Sequence, residues 1–423
     1  MAQELHHIVV VGGGAGGLEL VTRLGNSLGK QAKAKITLVD QNLTHIWKPL
    51  LHEIAAGTLD PYSEEVNYFA HAARHHYQFV SGSLCNVLPE KKQIQLCSAT
   101  GKNLKTLSYD TLVLAVGSVS NDFNTEGAKE YCYFLDNRAQ ADQFQKDLLN
   151  TYLDAQYSQQ PNHLNIAIIG AGATGVELAA QLVEAKENFY RYGLNHIHPD
   201  LVKITLIEAA DRILPALPEK VAENTLRQIK TLGIEVLTGH KVQHVAKDHI
   251  SFQDGSALQT DLNIWAAGIK APQVIEQLES FEKDHLNRIK VYATLQTYNY
   301  PDIFAFGDCA HCQLEADQPP LGPRAQVASQ QANFLVRALT ARIAERPIPM
   351  FHFSDKGSLI SLSQNKAVGQ LLGQVNVQGS VAKGLYISLY RLHQANIYGY
   401  NQAGALTVRD FVTRRIRPKI KLH

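Results

Sequence analysis

The stretch Ile8–Leu20, IVVVGGGAGGLEL, decides the fold. Its four apolar residues read as a buried parallel strand, and Leu18 to Leu28 continues as a helix. Between them Gly12, Gly14 and Gly17 complete a G-x-G-x-x-G turn, flanked by Ala15 and Gly16. The spacing has a physical reason. The first glycine makes the tight turn, the second lets backbone approach a pyrophosphate, and the third lets helix and strand pack closely. The N–H groups opening the helix then meet the phosphates. Next along the chain, KITLVDQN (Lys35–Asn42) supplies a second strand ending at Asp40, where a carboxylate takes ribose hydroxyls.

The pattern returns. IAIIGAGATGVELA (Ile166–Ala179) carries Gly170, Gly172, Ala173 and Gly175, and KITLIEAADRILP places Glu208 at the next strand end. The acid lies further from its glycines than the usual spacing of about 20 residues. ENFYRYGLNHIHPD (Glu187–Asp200) accounts for the excess as a lengthened helix and loop. YDTLVLAVGS (Tyr109–Ser118) and TDLNIWAAGIKAP (Thr260–Pro272) also echo each other. Each is an apolar strand ending in small residues, Ala115 and Gly117 in one, Ala267 and Gly268 in the other. Small side chains there let backbone pass beneath a nucleotide. The duplication therefore covers whole domains and implies two nucleotides. PDIFAFGDCA (Pro301–Ala310) adds a further strand ending at Gly307 and Asp308.

A chain of 423 residues suits two or three domains, and 45% hydrophobic with 19% charged residues is a globular composition. A net charge of +1 argues against nucleic acid as a partner. The first strand begins almost at the amino terminus, leaving no room for a signal peptide. No run of about 18 strongly apolar residues reads as a spanning helix. Five cysteines, Cys85, Cys97, Cys132, Cys309 and Cys312, suit a reducing compartment better than a disulfide framework. Cys309 and Cys312 form a lone C-x-x-C, read as small buried thiols. His71, His75, His76, His196 and His198 read as loop and surface residues, so no metal site is expected.

The carboxyl end is uneven. From Arg409 onward, Arg409, Arg414, Arg415, Arg417, Lys419 and Lys421 stand against Asp410 alone. They interleave with Val408, Phe411, Val412, Ile416 and Ile420, while Leu385, Tyr386, Leu389, Tyr390 and Leu392 form an earlier apolar stripe. Apolar rows beside basic residues are what an in-plane helix needs on an anionic membrane. A dimer interface or core helix is the alternative.

Glycine turn, small-residue strand, second glycine turn and terminal G-D together resemble the two-dinucleotide-binding-domain flavoprotein reductases. THIWKPLLHEIAAGTLD, IEAADRILPALP, WAAGIKAP, FGDCAHC, PRAQVASQQ, DKGSLISLS and LYISLYRLHQ…RPKIKLH narrow the resemblance to the bacterial type II NADH dehydrogenases, the single-chain NADH:quinone oxidoreductases. The resemblance spans the whole chain. It implies two Rossmann-like domains of the glutathione-reductase-like type with a C-terminal membrane-associating region. The expected boundaries are residues 1–120 and 281–350 for an FAD domain, 121–280 for an inserted NADH domain, and 351–423 for the C-terminal region.

The resemblance also implies roles. FAD would lie on Gly12, Gly14, Ala15, Gly16, Gly17, Asp40, Lys48, Ala115, Gly117 and Asp308, with Trp47 nearby. NADH would lie on Gly170, Gly172, Ala173, Gly175, Glu177, Glu208, Ala267 and Gly268. Glu177 would be the catalytic carboxylate, placed near nicotinamide and flavin in a positioning or proton-relay role. Glu208 at its strand end favours NADH over NADPH, and Arg212 close by would soften that preference. Gln326 and Gln330, four apart after Pro323, share a helix face, and with Lys356 they would line a quinone pocket. The role of Arg324 is open. The implied reaction is hydride transfer from NADH to FAD, then two-electron reduction of ubiquinone or another membrane quinone without proton pumping. It would take place at the cytoplasmic face of the bacterial inner membrane, by a monomer or a homodimer. A sulfide:quinone reductase needs a redox cysteine in the C-terminal third, and none follows Cys312. A ferredoxin-type reductase lacks a reason for the basic tail, and a disulfide reductase needs its dithiol beside the flavin. A non-turnover sensor would require degenerate motifs, which are not found.

Overall fold

The structure is a computed structural model describing residues 4–98, 104–157, 163–362, 366–371, 375–413, 416 and 418–421. Its chain divides into two compact units. One comprises Met1–Trp47, Glu64–Val119 and Ile269–Ser354; the other comprises Lys48–Ser63, Ser120–Gly268 and Asp355–His423.

The first unit is built on a five-stranded parallel sheet with His6–Val11 at its centre. Ala34–Asp40 and then Gln78–Ser81 lie on one side, Thr111–Leu114 and then Ile303–Ala305 on the other. Ile8, Val9 and Val10 are fully buried, as near-continuous apolar strands must be when both faces of a parallel sheet are covered. The helix Ala15–Leu24 follows the glycine turn and packs against the helix Ala325–Ile343. Buried Glu19 links the two, accepting from Ser329 Oγ (2.8 Å) and Asn333 Nδ2 (3.0 Å).

The second unit repeats the plan. Leu164–Ile169 is central, with Val202–Glu208 and Glu235–Thr238 on one side and Leu262–Trp265 and Cys132–Phe134 on the other, all parallel. The registers correspond: His6 pairs Ala34 and Leu164 pairs Val202 at the start of the two equivalent ladders. Each sheet also has an antiparallel three-stranded meander inserted before its small-residue strand, Ser83–Ser108 and Val242–Gln259 respectively. The long helix Ala173–Arg191 and the turn at Pro199–Leu201 account for the wide spacing between glycines and Glu208.

A third sheet, Gly357–Ser361, Ala367–Leu371 and Val375–Gln378, belongs to the second unit and is covered by the helix Gly379–Tyr398. The helix Tyr400–Thr413 then packs against Gly379–Tyr398.

Two side chains depart from the sequence reading here. Tyr386 is buried with Ala367 and Ala382 and does not belong to an exposed stripe. Ile420 is also buried, 2% exposed, whereas Ile416 is 79% exposed. Around Ile420 the tail docks back on the body: Lys421 N–H donates to Gly57 O (2.7 Å), Gln145 Nε2 donates to Lys421 O (2.8 Å), and Lys419 N–H donates to Tyr192 Oη (2.9 Å). Lys421 Nζ sits 5.0 Å from the Tyr62 ring centroid. Arg414, Arg415 and Arg417 lie outside the described residues.

The cysteines depart from it too. Cys85 and Cys97 form a disulfide across the first meander, at a bulge after Leu84 that leaves Cys85 unpaired in the ladder and faces it to the neighbouring strand. Cys132, Cys309 and Cys312 are free.

The tail contacts predict unequal costs. Ile420→Ala should lower the unfolding free energy by about 2–5 kcal/mol, the usual penalty for emptying a buried aliphatic site. Ile416→Ala should change it by less than about 0.5 kcal/mol. Denaturant titration of both variants checks the contrast, and equal effects would contradict the docking.

Candidate functional site

In the first unit the glycine turn is shaped by three different demands. Gly12 has φ +104, and a Cβ there would collide with the Ala115 backbone, which returns beneath the turn. A Cβ at Gly17 would collide with Gly12 O. Gly14 meets nothing within 4 Å, so no packing within the protein explains it. What its missing side chain leaves room for is a ligand at the N-terminus of Ala15–Leu24.

Asp40 fastens this turn. Its Oδ2 accepts from Gly13 N–H (2.7 Å) and its Oδ1 from Asn42 N–H (2.8 Å), and burial raises its pKa. Tyr68 Oη donates to Gly13 O (2.6 Å), and His45 Nδ1 lies 2.9 Å from the same oxygen. On the far side of the sheet Ser118 Oγ donates to Asp308 Oδ2 (2.9 Å), aligning the carboxylate that ends Ile303–Ala305. Gly117, at φ +71, again faces open space. Room at Gly14 and Gly117 between two anchored carboxylates fits a dinucleotide.

The second unit has the same construction. Gly170 has φ +107 and lies against Ala267, Gly175 lies against Gly170 O, and Gly172 meets nothing within 4 Å. Glu208 Oε2 accepts from Ala171 N–H (2.9 Å) and Oε1 from Ala210 N–H (3.0 Å). Trp265 Nε1 donates to Ala267 O (3.0 Å), and Asn121 N–H donates to Gly268 O (3.2 Å), which closes the returning strand. Ala173 opens the helix after the turn.

Arg212 is not free to soften the preference set by Glu208. Its guanidinium donates to the carbonyls of Leu214 (3.1 Å), Pro215 (2.9 Å) and Leu217 (2.9 Å) and holds its own loop.

Glu177, on the first turns of Ala173–Arg191, is 7% exposed. Burial pushes its pKa up to about 8. Ser361 N–H donating to Oε1 (2.9 Å) and Lys383 oppose the shift, while Glu53 adds to it. Lys383 Nζ donates to Ser361 Oγ (2.7 Å), and the Tyr386 phenol is pushed up by burial and by Glu177. His52 Nδ1 lies 3.7 Å from Glu177 Oε2. Burial and Lys383 pull this imidazole down to about 3, so it is neutral. The sequence reading named Glu177 but missed His52, Glu53, Ser361, Lys383 and Tyr386. KPLLHE held a signal, since adjacent titratable residues in an apolar helix turn have to be accommodated somewhere.

The glutamines divide differently than read. Gln330 is committed at both ends to one backbone unit: its Nε2 donates to Ser354 O (2.8 Å) and its Oε1 accepts from Ser354 N–H (3.0 Å). The unforeseen Gln331 is fully buried and accepts from Gly307 N–H (2.8 Å), next to Asp308. Gln326 is half-buried on the same helix. Arg324 stacks over Phe353 at 5.1 Å. Lys356 is exposed at the start of the strand whose other end, Ser361, holds Glu177. Lys48 Nζ lies 3.8 Å from Asp136, and Trp47 is buried.

Burial pushes the Cys309 and Cys312 thiols up to about 11 each, which suits inert packing. His196 and His198 are exposed, as read. His71 and His75 are not surface residues: both are buried and stacked at 4.2 Å, with His71 bonded to Tyr77 and His75 to Asn26.

The C-terminal helices expose Leu389, Leu392, Tyr400, Val408, Phe411 and Val412. Arg409 and Arg391 are tied to Asp410, and Arg409 also to Ser63 O. Among the described residues no helix is long and apolar enough to cross a membrane.

Residues 6–332 match the family model described as pyridine nucleotide-disulphide oxidoreductase. The chain is 39% identical to the type II NADH:quinone oxidoreductase of Haemophilus influenzae, with 99% of this chain and all of that protein covered. The chain belongs to the type II NADH:quinone oxidoreductases, within the pyridine nucleotide-disulphide oxidoreductase family. Its fold is that of the NDH2 of Plasmodium falciparum solved in complex with NADH, at a TM-score of 0.86 and 21% identity over 98% of this chain and 100% of that one. It is also shared with the sulfide:quinone oxidoreductase of Aquifex aeolicus, at a TM-score of 0.73 and 17% identity over 98% and 96% of the two chains. Those likenesses concern the fold alone.

The buried Glu177 predicts a pH dependence of stability. Its folded pKa lies above the ordinary 4.5 of the unfolded chain, so between pH 4.5 and about 8 the unfolded state has lost a proton that the native state keeps. Stability therefore falls as pH rises through that window. Glu177→Gln, which cannot ionise, should be the more stable protein at pH 8–9, and the difference should vanish toward pH 4–5. Melting temperatures across this range check the sign.

Proposed function

We propose that the protein is a respiratory, non-pumping NADH:quinone oxidoreductase that holds FAD in its first unit and NADH in its second. The duplication carries this reading: each unit has its own parallel sheet, glycine turn and strand-end carboxylate, with open space at Gly14 and at Gly172. When bound, the flavin supplies the hydride and electron chemistry, while protein groups set orientation and proton supply.

Gly12, Gly14, Ala15, Gly16 and Gly17 would bind the FAD pyrophosphate, Asp40 the adenosine ribose, and Asp308, held by Ser118, the ribityl chain or phosphate. Ala115 and Gly117 pass beneath the nucleotide, and Lys48 serves the same cofactor. Gly170, Gly172, Ala173 and Gly175 bind the NADH pyrophosphate above Ala267 and Gly268, and Glu208 takes its ribose. With Arg212 spent on its own loop, discrimination against a 2′-phosphate is stronger than the sequence alone implied. Glu177 keeps a proton near neutrality and hands it toward quinone oxygen as the two electrons arrive. Gln326, Gln330 and Lys356 are the further quinone-side residues. For Gln330 that role requires its Ser354 bonds to open.

The sulfide:quinone reading has the fold in its favour but not the thiols, because the cysteines nearest the C-terminus are buried and high in pKa.

The exposed apolar residues of Tyr400–Thr413 would dock the protein on an anionic membrane at the cytoplasmic face of the bacterial inner membrane, where quinone is found. The same surface would serve a homodimer.

An anaerobic visible spectrum tests the core of this reading. Flavin bands should bleach with NADH and return with a short-chain ubiquinone analogue; bleaching without return would exclude quinone as acceptor. Glu208→Ala should raise KM for NADH by about tenfold or more, since a lost hydrogen bond to a charged group is worth about 1.5–3 kcal/mol, and leave KM for quinone near its starting value. Equal effects would remove Glu208 from the ribose. Replacing Val408, Phe411 and Val412 together by serine should weaken binding to anionic vesicles by about tenfold or more, at about 1.5–3 kcal/mol per fully buried apolar side chain. Undiminished vesicle binding would reject the membrane surface.

A further inference from the structure

His52 is the one member of the Glu177 cluster without an evident task. It lies on the short helix Leu51–Ala55, which packs against Ala173–Arg191. Its ring stands between two carboxyls, Nδ1 3.7 Å from Glu177 Oε2 and Nε2 4.0 Å from Glu53 Oε1. It is 2% exposed, and Nε2 is buried without a hydrogen-bond partner. An orphaned buried imidazole nitrogen is costly unless function retains it. Glu53, at 18% side-chain exposure, is the only one of the three that reaches solvent appreciably.

We propose that His52 is the relay through which Glu177 recovers its proton from solvent by way of Glu53. This inference rests on the reading of Glu177 as a proton donor. Once Glu177 has given up its proton, its carboxylate Oε2 takes the hydrogen from His52 Nδ1. In the same step His52 Nε2 takes the hydrogen of a protonated Glu53 carboxyl. One N–H bond breaks and one forms on the ring, which starts and ends neutral with its hydrogen moved from Nδ1 to Nε2. Glu53 is left as a carboxylate and is reprotonated from water. The starting tautomer returns when Nε2 releases its hydrogen to water and Nδ1 takes one from water, so that one N–H bond breaks, one forms and the ring stays neutral.

The neutral route is required by the surroundings. Lys383, from Gly379–Tyr398, and burial hold the imidazole far below its usual range, so an imidazolium intermediate is disfavoured. The other groups facing the pair fit this scheme. Tyr386 from the same helix is held protonated, and Gly357–Ser361 contributes the Ser361 N–H to Glu177 Oε1. Gln181 of Ala173–Arg191 is uncharged and accepts from Thr58 Oγ1 (2.8 Å), while Gln145 of Arg138–Ala155 is uncharged and bonded to Lys421 O. No carboxyl other than Glu177 and Glu53 is paired with His52 among the described residues. Both gaps exceed a hydrogen bond, so the ring closes them by a small rotation or through one water.

The test reads the Glu177 proton directly. In the full-length flavin-loaded protein at pH 6, the carbonyl stretch of protonated Glu177, assigned by its loss in Glu177→Gln, shifts on rapid mixing with D2O. His52→Gln preserves a polar side chain of similar reach but cannot relay a proton. It should slow that exchange by about 10–100-fold, at or below the range typical of a positioned proton-transfer group. Glu53→Gln, at the better exposed end, should slow it comparably and keeps the test alive if His52→Gln loses its flavin. A His52→Gly variant should recover exchange when imidazole is added. Exchange at the wild-type rate in either glutamine variant would overturn the relay. Quinone-dependent flavin reoxidation is followed separately in Glu177→Gln. Unslowed reoxidation there would overturn the donor role of Glu177, whereas the exchange rates report on the His52 path whatever that result.

Discussion

A backbone amide within each glycine turn donates to the carboxylate that ends the neighbouring strand, from Gly13 to Asp40 at 2.7 Å and from Ala171 to Glu208 at 2.9 Å. Both nucleotide sites depend on this bond. The turn opens with a glycine near φ +105 in both copies, and in the first copy Tyr68 and His45 help by holding the Gly13 carbonyl. A charge-assisted hydrogen bond, worth about 1.5–3 kcal/mol, is enough to choose one turn conformation over its neighbours. In the proposed complexes the carboxylate would have two duties, shaping the turn with one lone pair and facing the ribose with another. On that proposal the acid at the strand end would be as much a part of the phosphate site as of the ribose site.

Three carboxyls, Glu177 buried and Asp284 and Asp40 partly so, show how surroundings decide what an acid does. Burial raises all of them; the hydrogen bonds then decide the outcome. Asp284 receives His311, Arg288 and backbone donors, which outweigh burial and bring it down to about 2, so it is a permanent anion bracing its loop. Asp40 has backbone donors at both oxygens and still sits above its ordinary value. Glu177 has the Ser361 amide and a lysine one hydroxyl away, with Glu53 working against them, and burial wins, pushing it up to about 8. That imbalance suits a group that must hold and release a proton near neutral pH, and a fully paired carboxylate would forfeit it.

The sequence made the two sheets legible because their signals are local. An apolar run, three glycines at fixed offsets and an acid at a strand end each lie within a short window, and the repetition of all three made the duplication plain. What it hid depends on contacts between distant segments. Tyr386 and Leu389 share one helix and one apolar periodicity, yet one faces Glu177 and the other solvent, because a sheet formed by residues 357–378 covers only one side. The His52 environment is assembled from Leu51–Ala55, Ala173–Arg191 and Gly379–Tyr398, three helices whose association no period announces. The Cys85–Cys97 bond needed the bulge after Leu84, and a bulge has no reliable signature in a strand of this composition. The backbone partners of Arg212 and Gln330 were equally hidden: Arg212 bonds carbonyls of its own loop, and Gln330 bonds Ser354, far along the chain.

The C-terminal segment brings these themes together. Its exposed residues, Val408, Phe411, Val412 and Ile416, lie on a helix and the turn after it, while Ile420 four residues on is sunk into the body. The backbone bond that holds Ile420 in place ends at Gly57, which closes the helix carrying His52 and Glu53. A tail that only touched lipid would not need this fastening. A tail that only braced the body would not leave Val408, Val412 and Ile416 so exposed, since a cluster of exposed apolar side chains marks a contact surface. The segment therefore has an exposed apolar part, the proposed membrane surface, and a structural part separated by a few residues. The structural part ends on the same short helix that supplies the relay, so the docking of the tail and the placement of His52 share one anchor.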